Sequence, residues 1–216
     1  MTTLANPPVR RVETVEMEPP KRYNHSDFLR LAPEDTKAEL IDGEIILTPT
    51  PSHIHERLQV FLIKVIGLFA DCFRLGQVLG SRTAVHISEV DTYEPDILFV
   101  SREREHIIQE REVTAAPDLV IEILSGSTAH HDRGRKRENY ARAGVRELWI
   151  IDPYGAAGTQ FYQRQGNELI EVAPVNGIIH SIALSNFKLN VNWLWANEKD
   201  QLPNPMDVLK ELGVKI

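Results

Sequence analysis

Two short segments constrain this chain more than any other feature: Asp96-Ile97-Leu98-Phe99-Val100 and Asp118-Leu119-Val120-Ile121-Glu122-Ile123-Leu124. Each follows a proline, is almost wholly apolar and has the length of a strand. Such runs belong in the middle of a sheet covered on both faces. Yet both carry carboxylates. Strand side chains alternate with period two, so Asp118, Val120, Glu122 and Leu124 share one side. An ionised carboxylate buried there is costly unless a cation or a set of donors compensates it. If the two strands are neighbours, Asp96 and Glu122 converge, and a divalent cation relieves their repulsion. Mg²⁺ takes hard oxygen ligands and is commonly held by one or two carboxylates. The carbonyl of Ile123 offers a third oxygen. Blander readings stand beside this one: Asp96 caps a strand end after Pro95, or Glu122 pairs with a buried arginine.

The surrounding pattern predicts a mixed α/β fold, a central sheet flanked by helices. Asn24 or Ser26 caps a short helix holding Phe28 and Leu31. Asp42-Gly43 between Ala38–Ile41 and Glu44–Leu47 signals a hairpin. From His53 to Phe73 the apolar residues recur at i, i+3 and i+4, one buried helical face. Gly76 and Gly80 read as breakers, and Thr83–Ser88 as a strand. A helix is expected from Asp132 to Ala143, stopped by Gly144, then a buried strand at Leu148–Ile151. Gln160–Gln165 and Glu168–Val172 form a second hairpin around Gly166-Asn167, and a short helix lies near Met206–Leu212. The expected organisation is a poorly ordered tail over 1–22, one domain over 23–195 and an appendage over 196–216.

Lys136 completes the acidic arrangement. Asp132, Lys136, Tyr140 and Ala143 share a helix face, and this helix has few large apolar residues to bury instead. A lysine aimed at a carboxylate pair can orient a water and stabilise charge on a phosphate; the competing reading is an exposed Asp132–Lys136 pair. Arg133, Arg135, Arg137, Arg142 and Arg146 surround it in a chain whose net charge is −7. That balance argues against a surface coated in basic residues, but a local basic patch suits a polyanionic substrate. Its alternative is a solvated helix face.

Taken together, Glu39…Asp42-Gly43-Glu44, Ser52…His55, Pro95-Asp96, Asp118–Ser125, Asp132…Lys136…Tyr140…Gly144-Val145, Glu147-Leu148-Trp149 and Asp152-Pro153 resemble the Uma family. That family is grouped with restriction endonucleases of the PD-(D/E)xK superfamily. The resemblance runs from about Tyr23 to Trp195 and rests on order and spacing rather than on one motif. It implies a restriction-endonuclease-like fold and Mg²⁺-dependent hydrolysis of DNA phosphodiesters, with Mn²⁺ as a substitute ion. Carried over, Asp96, Glu122 and the Ile123 carbonyl hold the metal, Glu39 is a further acid, and Lys136 is catalytic. His55, Asp132, Arg133, Arg137 and Tyr140 are candidates for substrate contact or support. The superfamily's lysine usually lies two residues after the second acid, where this chain has Leu124, so Lys136 would act as its substitute from the helix. Gly126 and Leu148 also depart from the family pattern, where proline and an aromatic are usual.

Two rivals remain. A nuclease-like module without catalysis would bind nucleic acid or protein with the same surfaces. A zinc hydrolase would draw on His53, His55, His130 and His131, but the chain lacks HExxH and has one cysteine, Cys72. That lone cysteine also excludes an internal disulfide. No apolar block resembles a secretory leader, and Lys64 and Asp71 interrupt the longest apolar run, Leu58–Phe73, which is too short to span a bilayer. The expectation is a cytoplasmic protein acting on DNA without a membrane, and a homodimer would suit the cutting of two antiparallel strands.

Overall fold

The computed structural model describes residues 21–33, 35–126, 131–196 and 201–215. Most of the expected N-terminal tail, His130 and residues 197–200 lie outside the described residues. In chain order the elements are α1 (His25–Leu31), β1 (Ala38–Ile41), β2 (Glu44–Leu47), α2 (His53–Phe73), β3 (Gly76–Gly80), β4 (Ala84–Ser88), β5 (Asp91–Tyr93) and β6 (Ile97–Ser101). A 3₁₀ segment, Arg102–Ile107, leads to β7 (Glu112–Val113) and β8 (Leu119–Ile123). One π-helical turn, Asp132–Lys136, opens α3 (Arg137–Ala143). Then follow β9 (Glu147–Ile151), β10 (Gln160–Gln165), β11 (Glu168–Val172), β12 (Ile178–His180), β13 (Lys188–Asn190) and α4 (Pro205–Glu211).

Six strands form the main sheet in the order β11-β10-β9-β8-β6-β3, and five form a second sheet in the order β2-β1-β5-β4-β7. Both sheets are mixed: β8 and β9 run parallel, as do β4 and β7, while the remaining pairs are antiparallel. The parallel β8–β9 pair needs a crossover, which α3 supplies. Strand parity then divides the core. Leu119, Ile121 and Ile123 of β8 pack with Ile97, Phe99, Trp149 and Ile151 beneath the apolar face of α2. Val208 and Leu209 of α4 join this cluster, as does Trp193. On the opposite face Val120 and Leu124 meet Leu148, Ile150, Tyr140 and Tyr93. The two apolar runs are therefore central strands covered on both sides. Among the described residues no helix is long and apolar enough to cross a membrane.

The α2 bounds and both hairpins follow the sequence pattern closely. Asp42 and Gly43 both adopt positive φ (56° and 78°), the conformation a two-residue hairpin turn demands. The glycines after α2 are different from expectation. Gly76 and Gly80 begin and end an edge strand, β3, paired antiparallel with β6. Gly76 has φ +149°, and its backbone presses against β6 so closely that a Cβ would collide with Val100 O and stand 2.8 Å from Ser101 Cα. Close approach, not chain breakage, is why glycine stands there. Gly76→Ala is expected to destabilise the fold by at least about 2 kcal/mol through strain and collision together; urea denaturation measures it.

Candidate active site

β6 and β8 are antiparallel neighbours, with Ile97 opposite Ile121 and Leu98 opposite Val120. Extending that register sets Asp96 opposite Glu122. Asp96 is held from several directions. Its Oδ2 accepts from the Ile123 backbone N–H at 2.8 Å and lies 3.2 Å from His55 Nε2. Its Oδ1 lies 2.9 Å from Lys37 Nζ. Gln59 Nε2 donates to the Asp96 carbonyl at 2.8 Å. His55 and Gln59 are one turn apart on α2, so one helix face holds Asp96 by both its carboxylate and its backbone carbonyl. The helix starts where Ser52 accepts from His55 N–H, which fixes that first turn.

Lys136 lies at the centre of the remaining acids. Its Nζ is 2.7 Å from Glu122 Oε1, 2.9 Å from Glu39 Oε1 and 3.0 Å from Asp132 Oδ1. All four side chains are at most 5% exposed. Tyr140 Oη donates to Glu122 Oε1 at 2.7 Å, and Glu94 N–H donates to Glu39 Oε1 at 3.0 Å. The ammonium also lies 5.4 Å from the Tyr93 ring centroid, a cation–π distance. Asp132–Lys136 is thus a buried pair and not an exposed one. The π turn is well suited to this, since an extra residue in the turn redirects side chains, and such turns are frequent at functional sites.

The electrostatics follow from burial and charge count. Burial pushes the Glu122 carboxyl up to about 8; Lys136 opposes this, while Asp132, Glu39 and Asp96 add to it. Burial acts on Asp96 in the same sense, but Lys37 and His55 overcome it and hold Asp96 well below the usual carboxylate range. Burial disfavours the Lys136 ammonium, yet Asp132, Glu122 and Glu39 raise its pKa well above the ordinary lysine value. Glu94 is pushed up to about 7, chiefly by burial.

Four carboxylates (Glu39, Asp96, Glu122, Asp132) meet two ammonium groups and one imidazole in a cleft of about 500 Å³. Asp132 Oδ1 and Glu94 Oε2 are buried without an aligned hydrogen bond. An oxygen-rich donor set in which four carboxyl groups crowd together fits a hard divalent cation such as Mg²⁺ or Mn²⁺ rather than a thiolate- or imidazole-seeking metal. Ile123 lines the same cleft.

Of the residues singled out from sequence, Glu39, His55, Asp96, Glu122, Ile123, Asp132 and Lys136 line this cleft, and Tyr140 supports it from behind. Arg133 and Arg137 are not brought to it. The Arg133 guanidinium donates to Gly158 O at 2.8 Å, and that of Arg137 lies 5.5 Å from the Tyr162 ring. Arg135 pairs with Asp42, and Arg142 donates to Asn139. The face that turns Lys136 and Tyr140 inward turns these neighbours outward, so the basic run is a solvated face tied to its own protein. The histidine pair also separates, with His55 buried and His53 exposed. Lys37, Gln59 and Arg82 belong to the cleft and were missed. Lys37 was within reach, because positions 37 and 39 share a side in extended chain; Gln59 was too, one turn beyond His55.

Comparison with known proteins gives a family and a fold. The family model Uma2, described as "Putative restriction endonuclease", matches residues 25–192. The uncharacterized protein sll1609 of Synechocystis sp. is 28% identical over 134 residues, which cover 61% of this chain and 74% of that protein. A crystal structure of "a putative nuclease belonging to DUF820" from Anabaena variabilis superposes with a TM-score of 0.65 at 22% identity, covering 78% of this chain and 95% of the other. That likeness establishes a shared nuclease-like fold. The family match encloses every carboxylate and both lysines of the cleft, and the chain belongs to the Uma2 family.

Proposed function

We propose that this protein is a metal-dependent endonuclease that hydrolyses DNA phosphodiester bonds in the cleft between β6, β8 and the π turn. The observation that carries the reading is the meeting of Asp96 and Glu122 on adjacent central strands, with Lys136 buried against Glu122. Family membership supports the class of reaction.

Asp96 and Glu122, with the Ile123 carbonyl, would hold Mg²⁺. When bound, such an ion makes a water more acidic and neutralises charge on phosphate oxygens. The chain's own groups do the rest. Lys37 and His55 keep Asp96 ionised, so it is a ligand at neutral pH. Glu39 and Asp132 keep Lys136 charged, and its ammonium offsets the negative charge that grows on phosphorus-bound oxygens during attack. Tyr140 fixes the Glu122 carboxylate by donating to Oε1. The attacking water's oxygen bonds to phosphorus and gives up a proton to solvent, while the bond to the leaving sugar oxygen breaks and that oxygen takes a proton from solvent.

Exposed Arg82 stands on the cleft wall beside Ser81 and suits a phosphate next to the scissile one. Arg82→Ala is expected to weaken DNA binding uniformly across sequences and to lower the salt slope of binding by about one ion; fluorescence anisotropy at several salt concentrations measures both.

The test of the whole reading is supercoiled plasmid incubated with protein in Mg²⁺, Mn²⁺ or EDTA. Nicking or linearisation that requires the metal is expected. DNA retained in a gel shift but left intact with every metal would replace the enzyme by a binding module.

A further inference from the structure

A second cluster of metal-ligating side chains lies outside the cleft. Strand pairing creates it. Leu40 of β1 is the partner of Thr92 on β5, and Thr92 is the partner of His86 on β4. Ala84, two residues before His86, is the partner of Glu112 on β7. Direct partners point to the same face, and so do residues two apart. Leu40, Thr92, His86, Ala84 and Glu112 therefore share one face of the five-stranded sheet. Glu39 has the opposite parity, so the cleft lies on the other face.

Helix α1 covers this face. Phe28 packs against Ala38, Leu40 and Ala84, and His25 N–H donates to Glu89 O at 2.8 Å. The helix thereby sets buried His25 over His86, their rings parallel within 1° and 3.9 Å apart at the centroids. His25 Nδ1 is 2.7 Å from Thr92 Oγ1, and its Nε2 is 2.9 Å from Glu112 Oε2. That carboxylate oxygen is buried, and the contact is not aligned as a hydrogen bond. One ligand atom from each of His25, His86 and Glu112 falls within 4.8 Å of the others.

We propose that His25, His86 and Glu112 form a zinc site that ties α1 and the edge strand β7 to β4. Two imidazoles and one carboxylate are a borderline donor set, suited to Zn²⁺ and unlike the carboxylate-rich cleft. A fourth position is left for water. Thr92 serves as the outer partner that fixes which ring nitrogen of His25 faces the ion. An ion pair alone uses only His25 and Glu112; the second imidazole at the same carboxylate is what a metal adds. Parallel rings aim their nitrogens side by side, so one must tilt to converge on an ion with bonds of about 2.0–2.2 Å. His86 is the one with room, being only partly buried. The site would be structural. β7 has only two residues, and α1 has seven, so both gain from a cross-link.

Tag-free, chelator-treated protein titrated with ZnCl₂ tests this, followed by calorimetry and thermal denaturation. One ion per chain is expected at the histidine cluster when millimolar Mg²⁺ is present to fill the cleft, with a melting temperature that climbs with zinc concentration, as for a ligand of the native state. His86→Ala should fold and bind zinc at least about 100-fold more weakly, with the zinc-dependent rise lost; Glu112→Gln should behave alike. With the same Mg²⁺ present, Glu122→Gln should take up this zinc ion as the parent does. Co²⁺ should give a visible ligand-field band in the parent and none in His86→Ala. Zinc uptake unchanged in His86→Ala and Glu112→Gln, uptake lost in Glu122→Gln, or no uptake by the parent would overturn the assignment. Plasmid cleavage by zinc-free His86→Ala should match the parent, which separates this site from the cleft.

Discussion

Glu122→Gln is expected to lower metal-dependent DNA cleavage by at least about 10³-fold, equivalent to about 4 kcal/mol of transition-state stabilisation, while leaving the fold intact. The substitution keeps shape and an oxygen for the Tyr140 hydroxyl and the Lys136 ammonium, both of which meet Oε1. Burial and the neighbouring acids push this carboxyl up to about 8, so without metal it is largely protonated at neutral pH and the amide takes little charge from the fold; what the substitution removes is the ability to ionise when a cation binds. The melting temperature should therefore stay near that of the parent or rise. Single-turnover cleavage and thermal denaturation on the same preparation read the two effects separately. Cleavage within threefold of the parent would remove Glu122 from the metal site.

Lys136→Met is expected to act in the opposite sense on stability. The substitution leaves Glu39, Glu122 and Asp132 buried together without the ammonium that each contacts. Removing one partner of a buried ionic group costs about 3–5 kcal/mol. In a chain of this size each kcal/mol is worth roughly 2–4 °C, so melting should fall by roughly 10 °C. Millimolar Mg²⁺ should restore more of that loss in the variant than it adds to the parent, because a second cation relieves the same repulsion. An unchanged melting temperature would mean that the three acids do not depend on Lys136. Loss of cleavage in a lysine variant alone thus mixes chemistry with folding. The Glu122 substitution does not.

Much of this site was legible because it breaks local rules. Charged residues inside apolar strands, Asp96 and Glu122, need a reason, and parity gives the side on which to look for it. Long α2 and the Asp42-Gly43 hairpin were legible from period and turn chemistry. Other features depend on tertiary structure. β5 and β7 are three and two residues long and show no period; they are strands because β4 is available to pair with them. β3 reads as a glycine break until β6 lies beside it. The π turn that faces Lys136 inward cannot be told from an ordinary helical start by spacing. Arg133 and Arg137 follow the net sign of a patch but not its direction. His25, His86 and Glu112 are scattered along the chain, and only the five-stranded sheet and α1 assemble them.

Mn²⁺ binding to the cleft is the most direct test of the central claim, that Asp96 and Glu122 form the divalent-cation centre. The measurement is a titration followed by electron paramagnetic resonance, in a His86→Ala background that disables the histidine cluster. The account predicts that this protein immobilises one Mn²⁺ per chain and that adding Glu122→Gln weakens binding at least about tenfold. Equal binding with and without Glu122, or no bound Mn²⁺ in its presence, would contradict it.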